Sequence, residues 1–189
     1  MLEMQSHIPI DKGTYQTYKI RTYLVSMKYL TSKRQAIVRS MMHTTNLDIG
    51  SGENPITSNS VIADINVNGI HSAQLPYPDK LFTSITALEL FEHLRMDELL
   101  CTMNEIKRVL DDDGQLIISI PNYSWYMYAF QNISWFIRRH TTLRSHNYAE
   151  HDNMQNAKHM TELLHYFGFE VAEIKRVYLY DIIIRAIKV

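Results

Sequence analysis

Apolar positions change their spacing several times along the chain, and each change marks an element. Thr31 to Met42 contains neither Pro nor Gly and sets Ala36, Ile37, Val38 and Met41 at helical spacing behind a Thr-Ser capping pair, which predicts a helix leading into the core. Asn46 to Ile49 reads as a short strand stopped by Gly50-Ser51-Gly52, and Val61 to Asp64 as a second strand ending on an acid. Leu81 to Ala87 alternates apolar and polar residues and is rich in β-branched side chains, the pattern of a third strand. Apolar residues then recur at Met96, Leu99, Leu100, Met103, Ile106, Val109 and Leu110, a helical period with charges on the other face. Asp111 to Gly114 predicts the turn that ends this helix, and Gln115 to Ile120 a buried parallel strand.

The second half repeats the alternation with one interruption. Residues 122–157 are dense in Tyr, Trp, His and Arg, and they precede a helix predicted near Lys158 to Phe167 and closed by Gly168. Phe169 to Tyr178 and Tyr180 to Val189 follow as two strands. Their connection is too short for a crossover helix, so they are expected to run antiparallel. The whole predicts an α/β three-layer sandwich with a mostly parallel central sheet and a C-terminal antiparallel strand pair.

Composition narrows the class without changing that picture. At 189 residues, 46% hydrophobic and 21% charged, the chain is expected to be a single globular domain spanning 1–189. No apolar stretch approaches the roughly 18 residues of a membrane span, and the N-terminus has no signal-peptide core, so the expected location is cytoplasmic. The single cysteine, Cys101, excludes an internal disulfide, and its apolar surroundings suggest core filler. Nine His occur without an HExxH or CxxC pattern, and no metal site is expected. A net charge of -1 argues against a dedicated polyanion surface. The charge is uneven, however: residues 1–45 carry +5 and the remainder −6, so a basic N-terminal helical flap, Arg34 among its bases, lies on an acidic body. Either it docks on that body or it attracts an anionic substrate.

In a sheet of this kind ligands bind beyond the carboxyl ends of the central strands, so the residues just after each strand carry the candidate chemistry. Gly50 and Gly52 lack β-carbons and leave backbone N–H groups open to a carboxylate or phosphate. Asp64, 12 residues beyond Gly52, is placed to accept two hydrogen bonds from a ribose diol. A GxG turn after one strand with an acid ending the next points to a nucleoside-containing cofactor, while a GxG alone is a tight turn.

With these motifs in place the sequence resembles the class I S-adenosylmethionine-dependent methyltransferases, which are Rossmann-like. LDIGSGENP is similar to their first motif, VIADIN to the acidic strand end, and LPYPDKLFTSITALELFEHL to their LPFPD…LEHL block. EIKRVLDDDGQLIISIPN and HMTELLHYFGFEV resemble the later helix–strand pairs, so the likeness runs from about Leu47 to Val177. It implies S-adenosylmethionine as cofactor, with Asp48, Gly50, Ser51 and Gly52 bordering its methionine part and Asp64 on the ribose. Gln74 and Leu75 would lie against the adenine, and Ala87 and Leu88 below the sulfonium. Glu92 and His93 would face the substrate. His93 is then the best general base, its ordinary pKa being about 6.5; the opposing reading has Glu92 and His93 holding the loop.

The sequence also departs from that pattern. Glu53-Asn54-Pro55 replaces the usual third glycine, and only eight residues separate Gly52 from Val61, too few for a crossover helix. A loop or one helical turn is expected there. His71-Ser72 stands where an acid often meets the adenine. The aromatics Tyr123, Trp125, Tyr126, Tyr128, Phe130, Trp135 and Phe136 suit an apolar lid, a core or a dimer contact. The expected partner is a small-molecule acceptor, without nucleic acid or membrane, and the chain is read as a monomer or homodimer. Two other functions stay open: an RNA or protein methyltransferase using the basic segments, and a non-catalytic methyltransferase-like binding protein.

Overall fold

The computed structural model describes residues 31–122, 156–177 and 181–189. Residues 31–39 are helical and form the described part of α1. Six strands follow among the described residues: β1 (Asn46–Ile49), β2 (Val61–Ala63), β3 (Phe82–Leu88), β4 (Leu110–Pro121), β5 (Phe169–Val177) and β6 (Asp181–Lys188). Helix α2 (Met96–Val109) joins β3 to β4, and α3 (Ala157–Tyr166) leads into β5. The sheet order is β2-β1-β3-β4-β6-β5. The first four strands in that order run parallel, and β6 lies antiparallel between β4 and β5. The predicted Rossmann-like sandwich, with its C-terminal antiparallel pair, is the architecture observed.

The period-2 alternation of the strands sorts residues onto two unlike faces. Toward α2 and α3 point Leu47, Ile49, Ile85, Ala87, Leu116, Ile118, Ile182 and Ile184, which form the main core with Leu99, Met103 and Ile106 of α2 and Met160 and Leu164 of α3. Toward α1 the sheet offers a smaller apolar cluster, Ile117, Val177 and Ile183 against Val38 and Met41. The rest of that face is polar and still buried: Asn46, Asp48, Ser84, Thr86, Gln115 and Ser119.

Local chemistry accounts for the element ends. Asp97 and Glu98 lie in the first turn of α2 and Lys107 and Arg108 in its last, each matching the helix dipole. Asn156 caps α3 by accepting from the His159 N–H at 2.9 Å, and Gly168, at φ +80°, lets the chain reverse into β5. The eight residues after Gly52 form turns without a helix, as their number requires.

Two expectations are corrected. Asp111 to Gly114 does not stand apart as a turn; β4 starts at Leu110 and runs through it. Phe82 pairs with Leu110 and Ser84 with Gln115, so extra residues of β4 bulge out, with Asp113 at φ +59°. Lys188 fixes the start of the strand by donating to the Leu110 carbonyl at 2.7 Å. Cys101 is exposed rather than core filler, because the buried stripe of α2 follows Leu99, Thr102, Met103, Ile106 and Val109. Met96 and Leu100 are exposed for the same reason. The aromatic insert from Tyr123 onward and the basic segment before Thr31 lie outside the described residues.

Candidate functional site

Strand order reverses direction at β1: its neighbour β2 lies on one side and β3 on the other, which opens a crevice at their carboxyl ends. The glycine turn occupies it. Gly50 has φ +71° and donates to the Ala63 carbonyl at 2.9 Å. A β-carbon there meets Leu90 Cδ1 at 2.9 Å, a side-chain end that can shift, so it is the backbone conformation that demands glycine. Gly52, at φ +57°, faces open space.

Both aspartates of the turn are committed to holding it. Asp48 Oδ2 accepts from the Ile56 N–H at 2.6 Å and Oδ1 from the Thr86 hydroxyl at 2.8 Å. Burial raises the Asp48 pKa against the effect of these two bonds, and the nearby Asp64 raises it further. Asp64 Oδ2 accepts from the Gly52 N–H at 2.8 Å, and Oδ1 accepts from Asn66 at 2.8 Å and Val67 at 3.2 Å. Oδ2 therefore retains acceptor capacity at the strand end. Without a crossover helix, these two carboxylates tie the connection to the sheet.

The cleft beyond β1 encloses about 500 Å³ of empty space, part of it open to solvent, and is lined by Asp48, Gly50, Ser51 and Leu88 together with Thr31, Arg34 and Gln35 of α1. Ala87 turns its side chain into the main core and offers only backbone at the strand end. Gln74 and Leu75 are placed elsewhere. Gln74 is exposed and Leu75 is a core residue. The Leu75 N–H donates to Glu105 Oε2 at 2.8 Å, and its carbonyl accepts from Arg108 Nη2 at 2.9 Å. Arg108 also binds the Tyr77 carbonyl and Asp79, and it holds the Glu105 carboxylate below its ordinary pKa. The LPYPD segment is thus a strap clamped to α2.

A second polar group lies at the carboxyl ends of β3 and β4. Glu89, at φ +52°, donates its N–H to the Ser119 carbonyl at 3.1 Å and receives the Ser119 hydroxyl on Oε1 at 2.8 Å. Arg34 Nη1 stands 3.3 Å from Glu89 Oε1 and 3.1 Å from Asp181 Oδ2. Glu92 is 2% exposed, and its Oε2 has no hydrogen-bond partner among the described residues. Burial pushes its pKa up to about 8, with repulsion from Glu89 adding to the effect. Burial likewise pushes Asp181 up to about 6. His93 follows Glu92 but is exposed, on the outside of the 3₁₀ turn Phe91–His93. Of the two candidate proton acceptors, Glu92 is the one inside.

Arg34 and Asp181 were not singled out as site residues by sequence reasoning. The excess of bases before residue 45 was the available signal for Arg34, but its partner lies 147 residues away. Among the described residues no three His, Cys, Asp or Glu side chains are grouped to hold a metal ion, and no helix is long and apolar enough to cross a membrane.

Comparison with known proteins bears on the whole fold. A SAM-dependent methyltransferase of Thermotoga maritima, described as a possible histamine N-methyltransferase, superposes with a TM-score of 0.66 at 14% identity, covering 92% of this chain and 96% of that one. The 1,6-didemethyltoxoflavin-N1-methyltransferase of Burkholderia thailandensis, solved with its substrate and S-adenosylhomocysteine, gives 0.63 at 14% identity over 97% and 93%. The [4+2]-cyclase SpnF gives 0.56 at 14% identity over 82% and 80%. At such identities the likeness is one of fold, and the cyclase shows that this fold serves more than one reaction. No curated protein matches in sequence. A sequence profile of the methyltransferase domain, in contrast, matches residues 32–174, most of the chain and every strand from β1 to the middle of β5. The chain belongs to the methyltransferase domain family.

Proposed function

We propose that the chain transfers the methyl group of S-adenosylmethionine to a small-molecule acceptor. The observation that carries this reading is the cleft at the β1 switch point, bordered by a glycine turn on one side and by Arg34 on the other. Its residues fit an amino-acid-like ligand end. Arg34 lines the cleft, and its buried Nε has no partner among the described residues, leaving a donor for a carboxylate. Gly50 presents bare backbone to the cleft, and Ser51 lines it beside Gly50. Asp64 Oδ2, tied to Gly52, retains a lone pair for a hydroxyl.

Bound there, S-adenosylmethionine supplies a sulfonium methyl already activated for transfer. The chain's own task is then to position the acceptor and exclude water. Leu88 closes the floor of the cleft beside Gly50, and Glu92 is the buried carboxyl available to take a proton from an acceptor that must lose one. With a pKa near 8 it is held largely protonated at pH 7, so proton uptake by Glu92 improves as pH rises through 8.

One observation favours a second reading, a methyltransferase-like protein that binds without catalysis. Each Asp48 oxygen already accepts a bond from inside the fold, and neither Gln74 nor Leu75 lines the cleft. Calorimetric titration with S-adenosylhomocysteine separates the two. Micromolar binding is expected, lost by at least about tenfold in Gly50→Ala, whose added carbon meets Leu90, with circular dichroism showing the variant folded. No binding by the folded parent overturns the enzymatic reading.

A further inference from the structure

The cluster at the ends of β3 and β4 holds more acid than base. Glu89, Glu92 and Asp181 share a single guanidinium, and Arg34 Nη1 is already divided between Glu89 Oε1 and Asp181 Oδ2. Glu92 is left over. Its Oε2 is buried and unpartnered, and the groups acting on it are Glu89, Arg34 and Asp181, which come from the β3 end, α1 and β6. A carboxylate withdrawn from water without a partner costs several kcal/mol. Either it stays protonated or a cation joins it.

The spacing says which kind of cation. Among the described residues no three such side chains converge closely enough to hold a metal ion. Acids distributed around Arg34 suit a bulkier charge carried on N–H groups, which reaches several oxygens at once. The place says whose cation it is. Glu89 follows directly on Leu88, and Leu88 and Arg34 both line the cleft.

We infer that Glu89, Glu92 and Asp181 seat the cationic nitrogen group of the methyl acceptor, and that the acceptor is accordingly an organic amine or amidine. The inference rests on the methyl-transfer reading for the word acceptor, but the cation seat itself does not. In the bound state the ligand's N–H groups donate to the Glu92 carboxylate, and Arg34 keeps its hold on Glu89 and Asp181. Seating a cation beside Glu92 drives off the carboxyl proton, so binding near pH 7 releases a proton to buffer.

The test uses benzylammonium and agmatine as cationic probes and benzyl alcohol as the neutral isostere, titrated at pH 7 with and without S-adenosylhomocysteine. A cation is expected to bind at least about tenfold more tightly than benzyl alcohol, with a binding enthalpy that changes with the ionisation enthalpy of the buffer. Glu92→Gln, close to isosteric, abolishes both the preference and the buffer dependence, while Cys101→Ser, on the exposed face of α2, keeps them. Equal binding of charged and neutral probes, absence of any cation binding, or displacement of benzylammonium by Mg²⁺ overturns the inference. Cation preference in a protein that ignores S-adenosylhomocysteine leaves the seat standing and removes methyl transfer. Binding of S-adenosylhomocysteine without cation preference does the reverse.

Discussion

The two faces of the sheet do different work. The face under α2 and α3 is closed mainly by Leu, Ile, Met and Phe side chains, with the buried Ser72–Thr102 hydroxyl pair beside them. The face under α1 is threaded by hydrogen bonds. Asn46 Nδ2 donates to Ser60 and to the Thr86 hydroxyl at 3.0 Å each, and Thr86 passes its proton to Asp48 at 2.8 Å. Gln115 Nε2 reaches the Met41 carbonyl. The apolar face supplies stability through burial, whereas the polar face trades some of it for direction: each bond fixes a strand end or the turn beside the cleft. Where crossover helices are replaced by turns, side chains of the strands have to place the loops.

Three substitutions test that contrast. The largest effect is expected from Leu116→Ala, a fully buried residue of the apolar face. It should cost about 2–5 kcal/mol in urea unfolding and leave the affinity of the folded protein for S-adenosylhomocysteine nearly unchanged. Thr86→Val comes next. It preserves shape but strips Asp48 and Asn46 of a partner, with a cost of about 1–3 kcal/mol, and it should also weaken S-adenosylhomocysteine binding because Asp48 holds Ile56. An equal loss of affinity in both variants breaks the division between the faces. Glu92→Gln acts with the opposite sign and only as pH rises. A carboxyl whose pKa rises from 4.5 unfolded to about 8 folded contributes stability that is full below 4.5 and lost as pH climbs through 8. The amide has no such loss, so the variant should gain on the parent as pH climbs toward 8.5, and thermal melts across pH 5–9 should flatten.

Much of this arrangement is legible along the chain, because it is set by neighbours. Asn46 to Ile49, the glycine turn and Asp64 are local signals, and the strand ends other than the start of β4 fall within a residue of where alternation puts them. The C-terminal strands follow from length alone. What sequence does not reveal is long-range commitment. The carboxylate of Asp48 points at Ile56 and Thr86 only once β1 and β3 lie side by side, in a register that pairs Asp48 with Thr86. The backbone of Leu75 is bound by Glu105 and Arg108, about 30 residues on, a commitment no local pattern shows. Cys101 misleads for a different reason: apolar neighbours on a helix include residues on its outer face. The Asp111 to Asp113 run resembles a turn by composition, yet it is drawn into β4 because Leu110 pairs with Phe82 and Lys188 holds the Leu110 carbonyl.

The left-handed backbone at Glu89 has a practical consequence for anyone seeking a sturdier version of this protein. A non-glycine residue at φ +52° carries a conformational penalty of roughly 1–3 kcal/mol, which Glu89→Gly removes. A screen for heat resistance alone would therefore favour glycine at this position. It would also delete the carboxylate that orders Arg34 and Ser119, so a gain in melting temperature there would mark the variant to discard.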